Sequence, residues 1–292
     1  MSKPGAIFCL SYIEIQNRVM VRFFFVFLWL TTAPFARAQS VFPERVVPYD
    51  PALMASRWMF DANTYLFVGQ DRFYTLAAGY AFGLSNERHL FSLQMPFIHT
   101  IINADFGGLE NTTGIGDIQF AYWWVPFKST QQQGIERVSV VAALSAPTGN
   151  PTAGRGVGTW LFKPGMVLTV PLTPGVMFYP EARFQFSAGS INSLGGNDGL
   201  PDPEDTDEEN RLQLVSVQLP VIMELPEARA WLGIDAPFQY SLSESTYFLY
   251  LKLFFGWMAT ERSALSLAAT KFVAGQPRLN VAVQIRYSIF LR

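Results

Sequence analysis

The chain has 292 residues and a formal charge of −2, and half of it is hydrophobic, with 15% aromatic and 15% charged residues. So little charge on so much apolar side chain fits a protein whose surface meets lipid. A single cysteine excludes a disulfide framework, and the charge balance argues against a nucleic-acid partner.

The first segment, residues 1–38, reads as an export signal: Arg22, an apolar run from Phe23 to Leu30, then Ala36-Arg37-Ala38 as a small-residue cleavage site before Gln39. Met20 is an alternative start. The apolar run is too short to span a bilayer as a helix, and no later stretch offers the roughly eighteen apolar residues that a spanning helix needs. Removing 1–38 takes away Lys3, Arg18, Arg22, Arg37 and Glu14, which moves the charge from −2 to −5. Cys9 goes with it, leaving no thiolate nucleophile or cysteine metal ligand. Residues 39–57 are expected to form a periplasmic N-terminal segment, and 58–292 the folded body.

From there the pattern has a period of two. Twelve strands are predicted, over 58–68, 73–84, 89–102, 115–127, 137–147, 159–172, 176–188, 211–225, 230–242, 246–258, 263–274 and 279–291. Successive side chains of a strand point to opposite faces. In the sixth strand Trp160, Phe162, Met166 and Leu168 therefore share one face, opposite Lys163, Gly165, Val167 and Thr169. "LTPG" then turns the chain into the seventh, where Phe178, Phe184 and Phe186 oppose Glu181, Arg183 and Gln185. Ordinary strands average about five or six residues, whereas a tilted strand crossing a bilayer needs roughly nine to eleven. These strands have membrane length.

The connections sort by parity. "SNER", "TPG", "PEA" and "ATER" are short turns at one end, with the longer "KSTQQQGIE" among them. "NADFGGLENTT", "TGNPTAGRGVG" and the segment from Gly189 to Asn210 are long loops at the other. An even strand count with short turns on one side and long loops on the other implies an all-β, transmembrane, antiparallel up-and-down barrel in a bacterial outer membrane, both termini periplasmic. Charged side chains then face the lumen: Asp117, Arg137, Lys163, Glu181, Arg183, Asp235, Lys252 and Arg286 are the candidate lining, with Gln119, Gln185, Gln239 and Gln284 between them. They either pair with one another or line a solute path. A small inward row, Thr75, Ala77, Gly79, Ala81 and Gly83, leaves space for such a path. Twelve strands fall between a barrel filled by side chains and a water-filled pore.

Two stretches carry a resemblance. "MPF", then "TTGIGDIQFAYWW" with Gly114, Gly116 and Asp117, then "LSAPTGNPTAGRGVG" with Pro147, Thr148 and Gly149, occur in that order. This series resembles the meta-pathway phenol-degradation family of bacterial outer-membrane proteins, over about half of the chain that follows the signal. The resemblance implies a barrel of the transporter kind that passes or binds small solutes, hydrophobic or aromatic ones among them. Read on its own, "GIGD" places Asp117 as the first inward side chain near the mouth and is either a register-fixing device or a point where Asp117 meets solute.

The rival classes are a structural or adhesive barrel and a barrel lipid-modifying enzyme. A Ser-His site is disfavoured, because His89 and His99 share the lipid face of the third strand while Ser92 points inward. The glycines of "GNPTAGRGVGT" lack the Lys-Ser/Thr pair of a phosphate loop. No cofactor and no metal site is expected; membrane lipids, a small solute and the barrel-assembly machinery are the expected partners. The seven acids between Asp198 and Glu209 predict a solvated loop with at most weak affinity for divalent ions.

Overall fold

A computed structural model describes residues 50–67, 72–84, 87–101, 111–129, 134–189, 212–276 and 279–291. Residues 1–38, read above as an export signal, and the acidic loop lie outside these residues.

The alternating stretches form twelve strands: β1 (Arg57–Phe67), β2 (Arg72–Gly83), β3 (His89–Ile101), β4 (Thr112–Ile115 and Ile118–Lys128), β5 (Arg137–Ala146), β6 (Leu161–Thr173), β7 (Val176–Phe178 and Glu181–Ser187), β8 (Gln213–Gln218 and Val221–Leu225), β9 (Ala230–Asp235 and Phe238–Ser241), β10 (Thr246–Thr260), β11 (Ser263–Gly275) and β12 (Leu279–Phe290). Each pairs antiparallel with its neighbours in sequence, and β12 returns to pair with β1, Arg57 opposite Phe290 and Asp61 opposite Arg286. The sheet is closed. Closure leaves no unpaired edge, the condition for strands to survive in hydrocarbon.

Three interruptions fall side by side in β7, β8 and β9, at Pro180, Pro220 and Pro237. Proline has no N–H to give to a ladder. The ladder continues through the proline carbonyls instead, which accept from Leu168, Tyr179 and Tyr250 at 3.0, 2.9 and 2.9 Å. The break in β4 is of another kind, because it marks the Gly116-Asp117 junction.

The two faces differ as the alternation requires. In β3, Phe91 is 49% exposed and Leu90 1%. Outward rows such as Phe91, Leu93, Met95 and Phe97, or Leu251, Leu253 and Phe255, are the lipid-facing surface. Trp58, Trp124 and Trp160 lie on it, whereas Trp123 and Trp231 are buried inside the barrel.

The interior is not uniformly polar. At the end that carries the short turns, Leu90, Trp123, Val125, Val141, Val167, Tyr179, Ile222 and Trp231 pack with Leu53 and Met54 into one apolar cluster. Residues 50–56, expected as part of a separate leading segment, are thus a component of the barrel's own core. The reason is geometric. A twelve-stranded barrel is narrow enough for large inward side chains from facing walls to meet, and burying them there removes apolar area from water.

Candidate functional site

The lumen has three levels. At the turn end, residues 50–56 are tied to the wall by several polar contacts. Ser56 Oγ accepts from Gly83 N at 2.9 Å, Arg57 Nη1 donates to the carbonyls of Leu53 (2.8 Å) and Ala55 (3.1 Å), and Leu291 N donates to Ser56 O at 2.8 Å. Arg137 forms an ion pair with Asp50 and donates to Thr169 Oγ at 3.2 Å. Arg137, one of the candidate lumen charges, is paired with this segment. A side chain at Gly83 would collide with the backbone of Met54, so the close approach requires glycine there.

The middle level is a charged belt. Arg286 holds Asp61 with two hydrogen bonds, Nε to Oδ1 at 2.6 Å and Nη2 to Oδ2 at 3.0 Å, and Gln94 Nε2 donates to Asp61 Oδ2 at 2.8 Å. Asp61 is 2% exposed and Arg286 44%, so the carboxylate is sealed while the guanidinium keeps contact with the lumen. Gln94 lies on β3 and Asp61 on β1. The bond between them passes over β2, where Ala77 and Gly79 are small enough to let it through. The small row read as room for solute is thus used by the protein itself, for this bond and, nearer the turn end, for Met54 and Ser56.

On the facing wall, Glu181 forms an ion pair with Arg183, whose guanidinium lies 5.4 Å from the centroid of Trp123. Asp235 faces Lys252 in the β9–β10 register and accepts from Leu219 N at 2.9 Å. Lys163 also faces inward. Gln119 lies opposite Gln94, Gln239 opposite Ser216 and Gln284 opposite Asn63, all on the lumen side, while Gln185 lies opposite Leu214 on the same face.

At the loop end, the two stretches that carry the family resemblance meet in one lock. Asp117 Oδ1 accepts from Gly149 N and Oδ2 from Val157 N, both at 2.9 Å. Thr148 Oγ donates to Gly116 O and accepts from Ile118 N, again at 2.9 Å, so the "PTG" threonine bridges the break in β4. Any side chain on Gly149 would run into the carbonyl of Arg155. Asn150 caps the short 3-10 turn Pro151–Ala153, Thr112 Oγ donates to Ala153 O at 2.7 Å, and Arg155 Nη1 donates to Thr113 O at 2.9 Å. The turn leans over the mouth, since a methyl on Gly154 would lie 3.8 Å from Thr100 of β3 and 3.9 Å from Phe73 of β2. Both carboxylate oxygens of Asp117 are therefore engaged by backbone. Gly114 and Pro147 flank the lock.

Sequence reasoning placed the inward charges on the inward face but did not single out Asp61, Asp50 or Gln94. Asp61 carried a usable signal, because it shares the parity of Arg57, Met59 and Asn63 in the first strand.

On the outward face, His89 Nδ1 and Tyr122 OH lie 2.7 Å apart, as do His99 Nδ1 and Thr113 Oγ. Ser92 points away from both. Among the described residues no group of three His, Cys, Asp or Glu side chains could hold a metal ion. A groove of about 340 Å³ bounded by Phe91, Leu93, Phe120 and Tyr122 also lies on the outward side, apart from the charged belt.

Residues 57–201 match the family described as "Putative MetA-pathway of phenol degradation". No curated protein matches the sequence. Among solved structures, an outer membrane channel from Pseudomonas putida F1 superposes with a TM-score of 0.62 at 11% identity, covering 81% of this chain and 96% of that one. The NanC porin gives 0.54 at 10% identity, covering 80% and 100%, and the KdgM porin 0.51 at 6%, covering 80% and 99%. At such identities the likeness is one of fold.

Proposed function

Because the chain belongs to the phenol-degradation family matched above, we propose that it is an outer-membrane barrel that admits small solutes, hydrophobic or aromatic ones included, to its lumen and passes them on without catalysis. The turn end, with both chain termini, faces the periplasm in this reading, and barrel-assembly machinery inserts the chain among membrane lipids. One observation carries the proposal: a charged belt, its guanidinium groups still accessible, lies between an apolar cluster at the turn end and a loop lock at the other end. Residues 50–56 close one end and residues 147–158 lean over the other.

The dry packing of the turn end favours a second reading, a structural or adhesive barrel that passes nothing. Liposome swelling with refolded protein decides between them. Swelling in small neutral solutes above that of protein-free liposomes supports passage, and its absence across solutes of different size and polarity favours the structural barrel.

A further inference from the structure

The wall between β4 and β7 holds a group of charges that the pairing does not exhaust. Gly165 of β6 lies opposite Arg183 of β7, and Lys163 is the next inward residue along β6, so the two cations are diagonal neighbours. Gly165 matters because a Cβ there would stand 2.5 Å from Arg183 Cγ. With no side chain in the way, Arg183 lies flat across β6 and continues over β5 to the ring of Trp123 on β4. Lys163 faces Ala143 in the β5–β6 register, and Ala143 in turn faces Ala121 of β4. Lys163 thus borders a floor of two small residues, Ala121 and Ala143, while Arg183 fills the space over Gly165.

Lys163 is repelled by Arg183 and attracted by the carboxylate of Asp117, which does not reach it as a hydrogen-bond partner. Both nearby carboxylates have other partners. Glu181 is nearly buried against Arg183, and the carboxylate of Asp117 is engaged by the amides of Gly149 and Val157. Among the described residues Lys163 has no hydrogen-bond or ion-pair partner, and Arg183 keeps 28% of its side chain exposed. Two like charges held close together in a confined lumen repel, and a shared acceptor relieves that repulsion. A neutral hydroxyl cannot offset the charge.

We propose that Lys163 and Arg183 form a binding station for the carboxylate of a small organic acid, its remainder lying over the small-residue floor. The two oxygens of a carboxylate can accept charge-assisted hydrogen bonds from both cations at once. This rests on the solute-passing reading and names a class of solute for it.

The test uses refolded, full-length mature protein in detergent, with benzoate as probe and benzamide and benzylammonium as neutral and cationic counterparts, binding being read by calorimetry. Benzoate should bind saturably, the other two about tenfold more weakly or worse. Lys163→Met should cost benzoate about tenfold in affinity while leaving benzamide unchanged, and Lys163→Arg should bind within a few-fold of the parent. Heat-modified gel mobility reports whether each variant has folded. If Lys163→Met does not fold, the comparison of three probes on the parent protein decides alone. Equal affinity for benzoate and benzamide, no benzoate binding, or unchanged benzoate affinity in folded Lys163→Met overturns the station. Displacement of benzoate by chloride at equal concentration does so too, since it reveals an unspecific anion site. Swelling in neutral solutes without benzoate binding sinks this inference and leaves the proposed function standing; benzoate binding without passage of any solute does the reverse.

Discussion

At the residue scale, several of the described interior charges are paired, and the pairs differ in what their loss would do. Asp61 is sealed and accepts three hydrogen bonds, whereas Arg286 remains accessible. Removing the acid leaves a guanidinium that lumen water can partly solvate, so the cost stays below that of a fully buried orphan charge. Asp61→Ala is expected to lower unfolding stability in lipid vesicles by about 1–3 kcal/mol. The double variant with Arg286→Ala should recover part of it, because the stranded charge is then gone. Urea titrations of the parent, both single variants and the double variant measure the coupling; purely additive losses would show that the pair does not act as one unit. Lys252 belongs to the other wall, where Asp235 is its register partner. Lys252→Gln removes a positive charge and leaves that acid in place, so a conducting lumen should become more cation-preferring. The sign of the reversal potential under a salt gradient is the readout.

At the element scale, the facing of each strand decides where charge is tolerated. On β12, Val283 points outward and Gln284 inward. Val283→Arg should cost about 2–4 kcal/mol if it lies near the bilayer midplane, and Gln284→Arg much less. Equal folding yields in lipid for the two would contradict the facing. Not every inward position serves for such a comparison: Thr169 faces inward yet is buried and bonded to Arg137. The lock at the loop end is the other element-scale device. Asp117→Ala removes the acceptor of two backbone amides and should release residues 149–157 while the strands stay paired. Hydrogen exchange at the amides of Gly149 and Val157 should accelerate, with β-strand amides unchanged. Uniform acceleration along β4 and β5 would mean that the lock supports the wall itself.

At the scale of the whole molecule, narrowness explains the interior. Small inward residues recur where another group crosses a strand closely: Ala77 and Gly79 beneath the Gln94–Asp61 bond, Gly165 beneath Arg183, and Gly83 against the backbone of Met54. The barrel joins non-adjacent strands through these crossings, and the ion pair of Asp50 and Arg137 extends the same device to the segment before β1. Asp50→Ala is expected to loosen residues 50–56 and raise conductance in planar bilayers without loss of the barrel. Conductance no higher than that of the parent would show that the apolar packing of Leu53 and Met54 holds the turn end closed by itself.

The sequence by itself determined the strands, their number, their facing and the division between a turn end and a loop end. These follow from a period of two and from turn chemistry, which act over a few neighbouring residues whatever the rest of the chain does. It also placed Lys163, Glu181, Arg183, Asp235, Lys252 and Arg286 on the inward face, because parity is local. Only the tertiary structure decided what those side chains meet. Asp61 and Arg286 are 225 residues apart in sequence and become neighbours when β12 closes on β1. "GIGD" and "PTG" read as two separate signals until the loop folds back and one carboxylate takes amides from both ends of it. The turn end is dry because facing walls stand close enough for Val125, Val141, Ile222 and Trp231 to pack together with Met54. Alternation says which way a side chain points; the distance to the opposite wall, fixed only by closure, says whether it meets water, a partner charge or another side chain.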